Sequence, residues 1–263
     1  MSNLRVYNSD TPTRVRDCYR EMRSKQDLLT VKRLEETYNR PSGTSLSVWE
    51  ALESLNQFVD LSDPDMDLPN IIHMYQTAEG MRKAGEPEWM QLVGLIHDLG
   101  KCIYLRGKDS DGTSLKEQWA IVGDTFIVGE PLPDGLVHSE FNQLNSDANT
   151  CIYPRECGLN QVHISYGHDE YLYQVLLRHN HRLPLQALYM IRYHSLYAWH
   201  KDGYYRDLED QCDRDMKPWV QRFNRYDLYT KTNIKYTDQE LGQLKEYYNS
   251  LIVQYLGSDH LNL

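Results

Sequence analysis

Apolar positions recur at three- and four-residue steps through most of the chain, a spacing that predicts helices. The cleanest stripe is Val48, Ala51, Leu52, Leu55 and Val59 in SVWEALESLNQFVD. A looser one, Tyr19, Met22, Leu28, Leu29 and Val31, crosses DCYREMRSKQDLLTVKRLEETY on a charged background. LPNIIHMYQTAEGMRKAG starts after Pro and Asn, repeats at Ile72, Tyr75 and Ala78, and stops at Gly85. PEWMQLVGLIHDLGKCIYL is the most apolar segment and predicts a further helix. HDEYLYQVLLRH, LPLQALYMIRYHSLYAW and PWVQRFNRYDLYTK predict three more. The last two carry Pro near the start, where its missing N–H costs nothing. DQELGQLKEYYNSLIVQYLG predicts the final helix, ending near Gly257.

From about Gly107 to Asn160 this periodicity is lost. Gly, Pro, Asn, Asp and Ser clusters leave only short apolar runs such as TFIVG. Long loops are expected there, with a small hairpin at most, and such loops are where a lid over a site can sit. No internal repeat, low-complexity tract or linker interrupts the chain. The expectation is one all-α domain over residues 1–263 with an elaborated irregular loop region.

Composition narrows the partners. The 263 residues are 40% hydrophobic, enough for a sizeable core. A formal net charge of −10 argues against nucleic acid or an anionic membrane, which want a basic face. No apolar run approaches the roughly 18 residues of a membrane span, and MSNLRVYNSD lacks a signal-peptide core. The five Cys are odd in number and show no C-x-x-C spacing, so unpaired thiols in a reducing compartment are expected. A cytoplasmic, monomeric protein is the resulting expectation. Twenty Tyr against four Phe put a hydroxyl on most aromatic positions, which suits a polar pocket as well as an ordinary tyrosine-rich surface.

Six ionisable residues then stand out, each in or beside an apolar helical segment. They are His73, the adjacent His97 and Asp98, His168, His194 and Asp227. A lone His on an apolar face is more often a hydrogen-bonded core residue than a ligand, and Asp227 alone would be read as a surface carboxylate. Six together are harder to dismiss, because buried imidazoles and carboxylates are costly unless paired or bound to metal. Neighbouring helical residues diverge by about 100°, so His97 and Asp98 can both serve one metal just off the helix edge. Four His and two Asp on one octahedral ion would leave no position for chemistry. Two ions sharing a bridging Asp98 would leave room for water, dioxygen or substrate. A nitrogen and oxygen donor set without thiolate suits Fe, Mn, Zn or Co.

Two lysines repeat a pattern. Lys101 follows Asp98 by three residues and His97 by four, and Lys231 follows Asp227 by four, so each shares a helix face with a candidate ligand. Either lysine alone would be read as snorkelling to solvent. Both together suggest anchors for an oxygen-rich or anionic substrate.

The H…HD…D arrangement resembles the HD superfamily of all-helical metal proteins, and the fuller pattern resembles the myo-inositol oxygenases. The matching blocks are DPDMDLPNIIHMYQTAEGMRKA, WMQLVGLIHDLGK, QWAIVGDTFIVG, SYGHDEYLYQVL, YMIRYHSLYAWH and PWVQRFNRYDLYTK, in the family's order. The resemblance implies a five-helix HD-like core and a non-haem centre of two Fe ions, mixed-valent Fe(II)/Fe(III) in the active form. It implies His73, His97, Asp98 and Asp227 for the first iron, and Asp98 as bridge with His168 and His194 for the second. It implies myo-inositol and O2 as substrates, Lys101 and Asp98 as catalytic residues, and ring cleavage to D-glucuronate and water. Substrate contacts carry over to Arg5, Asp60, Leu61, Ser62, Lys101, Gly123, Asp124, His194, Ser195 and Lys231. Two features depart from the family's animal members. They carry an acidic residue where Leu61 stands, so only its backbone can serve, and GKDSDGTSL (Gly107–Leu115) looks like an inserted surface loop. Its DSDG echoes a calcium loop, but the twelfth position from Asp109 is Ala120 rather than Glu. An HD-superfamily metal-dependent phosphohydrolase and a non-catalytic HD-like module are the competing readings.

Overall fold

The computed structural model of the chain describes residues 7, 10–64, 70–229 and 237–263. Helices α1 (Thr13–Lys25) and α2 (Leu28–Tyr38) divide what the sequence shows as one loose stripe. The break has a cause at each of its two residues. Asp27 caps α2 by accepting from the Thr30 N–H at 2.8 Å. Gln26, fully buried, donates to the Trp119 and Tyr166 carbonyls and so ties the break to the loop region.

Strand β1 (Ser45–Ser47) leads into α3 (Val48–Ser54), which opens on a capping box between Ser47 and Glu50. A 3₁₀ turn, Leu55–Gln57, then runs toward the site. Helix α4 (Asn70–Lys83) packs along α5 (Glu88–Ile96). On α5, Leu92, Val93, Leu95 and Ile96 are fully buried, each stabilising the core by about 1.5–3 kcal/mol. Helices α6 (His168–Arg178), α7 (Leu185–Tyr193), α8 (Tyr197–His200), α9 (Gln211–Tyr229) and α10 (Asp238–Leu256) follow. Strand β2 (His260–Asn262) pairs antiparallel with β1, Leu46 opposite Leu261. The fold is all-α, with this small sheet as its minor exception. Helices α4, α5, α6, α7 and α9 form the mutually packed centre.

Four local expectations need correction. The apolar segment after Glu88 is not one α-helix: from His97 to Leu105 it tightens to 3₁₀. Gly100 explains what that stretch must accommodate, since a Cβ there would lie 2.0 Å from the His168 carbonyl oxygen, against which α6 begins. Pro218 sits inside α9 and not at its start, because the polar run QCDRDMK is already helical. The expected hairpin is replaced, among the described residues, by a single bridge between Ile127 and Ile164. The inserted segment is exposed only at Lys108–Ser110 and Leu115. Asp111 and Thr113 are buried, and Asp111 accepts from Arg33 Nη1 at 2.8 Å and Tyr38 Oη at 2.9 Å.

The irregular region is a packed wall. Trp119–Val122 and Phe126–Val128 are buried. Its Ile121 carbonyl receives the His168 N–H, and its Thr125 N–H donates to the Ser195 carbonyl. The wall therefore fixes two segments that carry site residues. The five cysteines are free thiols. No helix among the described residues is long and apolar enough to cross a membrane.

Candidate metal centre

The centre is built where the five packed helices meet. His73 projects from the first turn of α4, and His97 and Asp98 open the 3₁₀ stretch after α5. His168 is the first residue of α6, His194 follows α7, and Asp227 lies near the end of α9. All six are buried. Five elements distant in sequence thus deliver four imidazoles and two carboxylates to one place.

Backbone carbonyls aim three of the rings. His97 Nδ1 lies 2.9 Å from the Gly94 carbonyl, His168 Nδ1 2.6 Å from that of Ile121, and His194 Nδ1 3.0 Å from that of Ile191. A carbonyl only accepts, so Nδ1 carries the proton and Nε2 is left for the centre. The His194 carbonyl is itself held by Asn224 Nδ2 at 3.1 Å and His200 Nε2 at 3.0 Å. Burial holds His200 down to about 4, so its ring is neutral and donates through Nε2.

Two groups of donors result. His73 Nε2 and His97 Nε2 lie 2.8 and 3.3 Å from Asp227 Oδ1. His168 Nε2 lies 3.1 Å from His194 Nε2. Asp98 spans them: Oδ2 is 3.7 Å from His97 Nε2, whereas Oδ1 is 3.1 Å from His168 Nε2 and 4.0 Å from His194 Nε2. Its two oxygens face different groups. Burial alone would raise the Asp98 carboxyl, but Lys101, His97 and His168 hold it well below the usual range. Burial likewise opposes ionisation of Asp227, which His73 and His97 outweigh. Burial lowers His168, but Asp169 and Asp98 overcome it and push the ring up to about 10. Protons here stand in for positive charge among buried carboxylates, the role a metal ion takes when bound. The donor set fits a metal cofactor on that chemistry.

Lys101 is buried beside this set. Its Nζ donates to Asp60 Oδ2 at 2.9 Å, Asp98 Oδ2 at 3.0 Å and Asn70 Oδ1 at 3.1 Å, while Asn70 Nδ2 donates to Asp98 Oδ2 at 3.0 Å. In a 3₁₀ stretch residues i and i+3 eclipse, which brings Lys101 over Asp98. Burial opposes its charge, yet Asp60 and Asp98 keep it firmly protonated.

These residues open on a cavity of about 440 Å³, counting the space at its mouth. Asp60, Ser62, Asn70, Lys101, Gly123, Asp124 and Ser195 line it together with His73, Asp98, His168, His194 and Asp227. No aliphatic residue lines it among the described residues. Tyr19 Oη donates to Asp124 Oδ1 at 3.1 Å and fixes that carboxylate. Ser62 is held by its N–H and hydroxyl on Asp60 Oδ1, at 2.8 and 2.6 Å. Leu61 is outside the lining and its N–H is taken by Gln118 Oε1 at 3.1 Å, which leaves its carbonyl as the backbone group for substrate. Arg5 and Lys231 lie outside the described residues.

A family model described as Myo-inositol oxygenase matches residues 12–262. The chain belongs to the myo-inositol oxygenase family. Inositol oxygenase of Danio rerio is 42% identical, covering 94% of this chain and 88% of the relative. That of Rattus norvegicus is 43% identical over 92% of this chain and 84% of its own. Inositol oxygenase 1 of Arabidopsis thaliana is 39% identical over 97% and 83%. Membership over nearly the full chain supports the oxygenase and disfavours the phosphohydrolase. Within a family that uses a metal, the His and Asp groups just described are the candidate ligands.

Three cavity residues escaped the sequence reading, Asn70, Asp63 and Tyr197, as did Asp169 beside His168. Asn70 lies inside a matching block, but nothing in an Asn at a helix start separates a site residue from a cap. Asp169 repeats the His–Asp dipeptide of His97–Asp98, but a carboxylate in the first turn of a helix is ordinary and gave no separate signal.

Proposed function

We propose that the chain is an inositol oxygenase that opens the ring of myo-inositol between C1 and C6, consuming one O2 and giving D-glucuronate and water. The four electrons removed from the polyol reduce the dioxygen, one oxygen atom entering the product and one leaving as water. Two Fe ions, Fe(II) and Fe(III) in the active form, would be held by His73, His97, Asp98 and Asp227, and by Asp98, His168 and His194. When bound, they supply dioxygen activation and acidify the hydroxyls they contact.

The chain's own residues do the rest. Asp60, Asp124 and Ser195 present acceptors to the hydroxyls of a neutral polyol. Lys101, kept charged by two carboxylates, donates to a substrate oxygen and stabilises negative charge there. To do so it exchanges one of its three present acceptors for the substrate. The buried wall of Trp119–Val122 and Phe126–Val128 keeps bulk water from that side of the cavity. Arg5, Leu61, Ser62, Gly123 and Lys231 remain proposed substrate contacts, Leu61 by backbone alone. The five free thiols agree with a cytoplasmic, reducing location.

The observation that carries this reading is one cavity lined, among the described residues, only by polar groups, glycine and tyrosine, with the imidazoles of His73, His168 and His194 and the Asp98 carboxylate among them, in a chain of this family. The experiment is aerobic incubation of ferrous-loaded protein with myo-inositol, following oxygen uptake and D-glucuronate. Stoichiometric appearance of both is expected. Phosphatase activity with a redox-silent divalent ion, and no glucuronate, would overturn it.

A further inference from the structure

Asp169 has no role so far. It follows His168 in α6 and is 2% exposed. Its Oδ1 lies 2.8 Å from His168 Nε2 and 3.4 Å from His194 Nε2, and accepts from Ser195 Oγ at 3.2 Å. Its Oδ2 is buried with no hydrogen-bond partner among the described residues.

The other half of the centre shows what this arrangement means. His73, His97 and Asp227 form a group of two imidazoles and one carboxylate with donor atoms within 4.8 Å; His168, His194 and Asp169 form a second of the same composition. Asp98 stands between them, one oxygen toward each. Without Asp169, the first half has its own carboxylate and a share of Asp98, and the second has the share alone. With Asp169 the halves match.

Burial adds a constraint. A carboxylate out of water needs a positive partner or a full set of donors. A cation held by His168 and His194 takes their Nε2 lone pairs, so neither ring can then donate to Asp169. The Ser195 hydroxyl remains, one donor for two oxygens. Such a carboxylate stays buried cheaply only if the cation itself faces it.

We propose that Asp169 is a positioning residue of the second metal position: its carboxylate balances the cation held by His168 and His194, and its Oδ1 orients the Ser195 hydroxyl toward the substrate. The proposal rests on the two-metal reading above.

The test is an anaerobic Fe(II) titration of metal-stripped protein by equilibrium dialysis with iron analysis, paired with turnover at saturating iron. Wild type takes up two ions. Asp169→Asn keeps the shape and removes the charge; it should bind the first ion as wild type does and the second roughly 10–100-fold more weakly. Its KM for myo-inositol should rise more than its kcat falls. Ser195→Ala should share the KM rise and leave both ion affinities unchanged, separating orientation from charge. Asp169→Glu should recover most of the second ion's affinity, and it decides the matter alone if Asp169→Asn does not fold. Equal second-ion affinity in Asp169→Asn and wild type overturns the role, as does a loss in Asp169→Glu as large as that expected for Asn. If wild type itself binds only one ion, the two-metal reading has failed; if it binds two and Asp169→Asn does as well, only the Asp169 role has.

Discussion

Replacing Lys101 by Met tests the centre's electrostatics most directly. Met keeps an unbranched stem near the Phe58 ring and deletes the ammonium, which lies 5.9 Å from that ring's centroid. Asp60 Oδ2, Asp98 Oδ2 and Asn70 Oδ1 then each lose a donor now 2.9–3.1 Å away. Removing one partner of a buried ion pair costs about 3–5 kcal/mol, because the other charge stays buried. Asp60 is partly rescued by Ser62, whose N–H and hydroxyl still reach its Oδ1. Asp98 in metal-stripped protein keeps Asn70 and the protonated His168. The stripped variant should therefore lose stability at the lower end of that range. At about 2–4 °C per kcal/mol, the thermal midpoint should drop by roughly 6–12 °C. With metal bound, Asp98 has a cation beside it, so the loaded variant should lose less. Turnover should fall about 10²–10³-fold, the usual loss when one donor to developing negative charge is removed, while iron content holds. Urea melts of stripped and loaded protein, with oxygen uptake and glucuronate formation, read all of this. Undiminished turnover would remove Lys101 from the chemistry. A stripped variant as stable as wild type would refute the buried-pair reasoning itself.

Three further outcomes follow from the same geometry. Asp98→Ala should strip most of both ions along with activity, since one carboxylate faces both donor groups; near-stoichiometric retention of two irons contradicts a bridge. Gly100→Ala places a methyl 2.0 Å from the His168 carbonyl oxygen, which is backbone and cannot swing aside. It should cost at least about 1–3 kcal/mol and lose iron from the His168–His194 half first, by denaturant melts and iron analysis; a wild-type melt with two irons contradicts the close approach. In metal-stripped protein, His168 is raised from 6.5 to about 10, so its contribution to stability is fully present below pH 6.5 and is lost as pH rises through about 10. The depressed Asp98, Asp169 and Asp227 act oppositely, their contributions holding above pH 3.8 and fading as pH falls through their folded values. Urea midpoints of stripped protein should thus decline from pH 6.5 to 10; a flat profile would show that His168 carries no proton in the empty centre.

Helix existence was legible in this chain where one face is apolar and the period is long. It failed where a partner element decides the backbone. The 3₁₀ stretch from His97 to Leu105 has a helical pattern, and what distinguishes it is the contact of Gly100 with α6, some seventy residues away. The start of α9 carries almost no apolar signal because its first turns lie mostly at the surface and the residue they bury, Asp213, is a carboxylate. The irregular wall was legible as irregular but not as core: short runs such as TFIVG look like loop decoration until Gln26, Tyr19 and Ser195 are seen bonded to their surroundings.

The site was legible for a different reason. Ionisable residues inside apolar helical segments are expensive, so each needs an account, and six such residues on five segments share one account most economically. That reasoning finds a group only when its setting is apolar. Asp169 sits in GHDEY, where a carboxylate in the first turn of a helix is ordinary and favourable toward the helix dipole, so its cost was invisible. Asn70 is neutral and carries no burial alarm at all, although it joins Lys101 to Asp98. The legible part of this centre is therefore the part whose charge conflicts with its sequence neighbours. The residues that hold those charges in register agree with their neighbours, and only their partners across the fold, Ser195 for Asp169 and Lys101 for Asn70, reveal what they do.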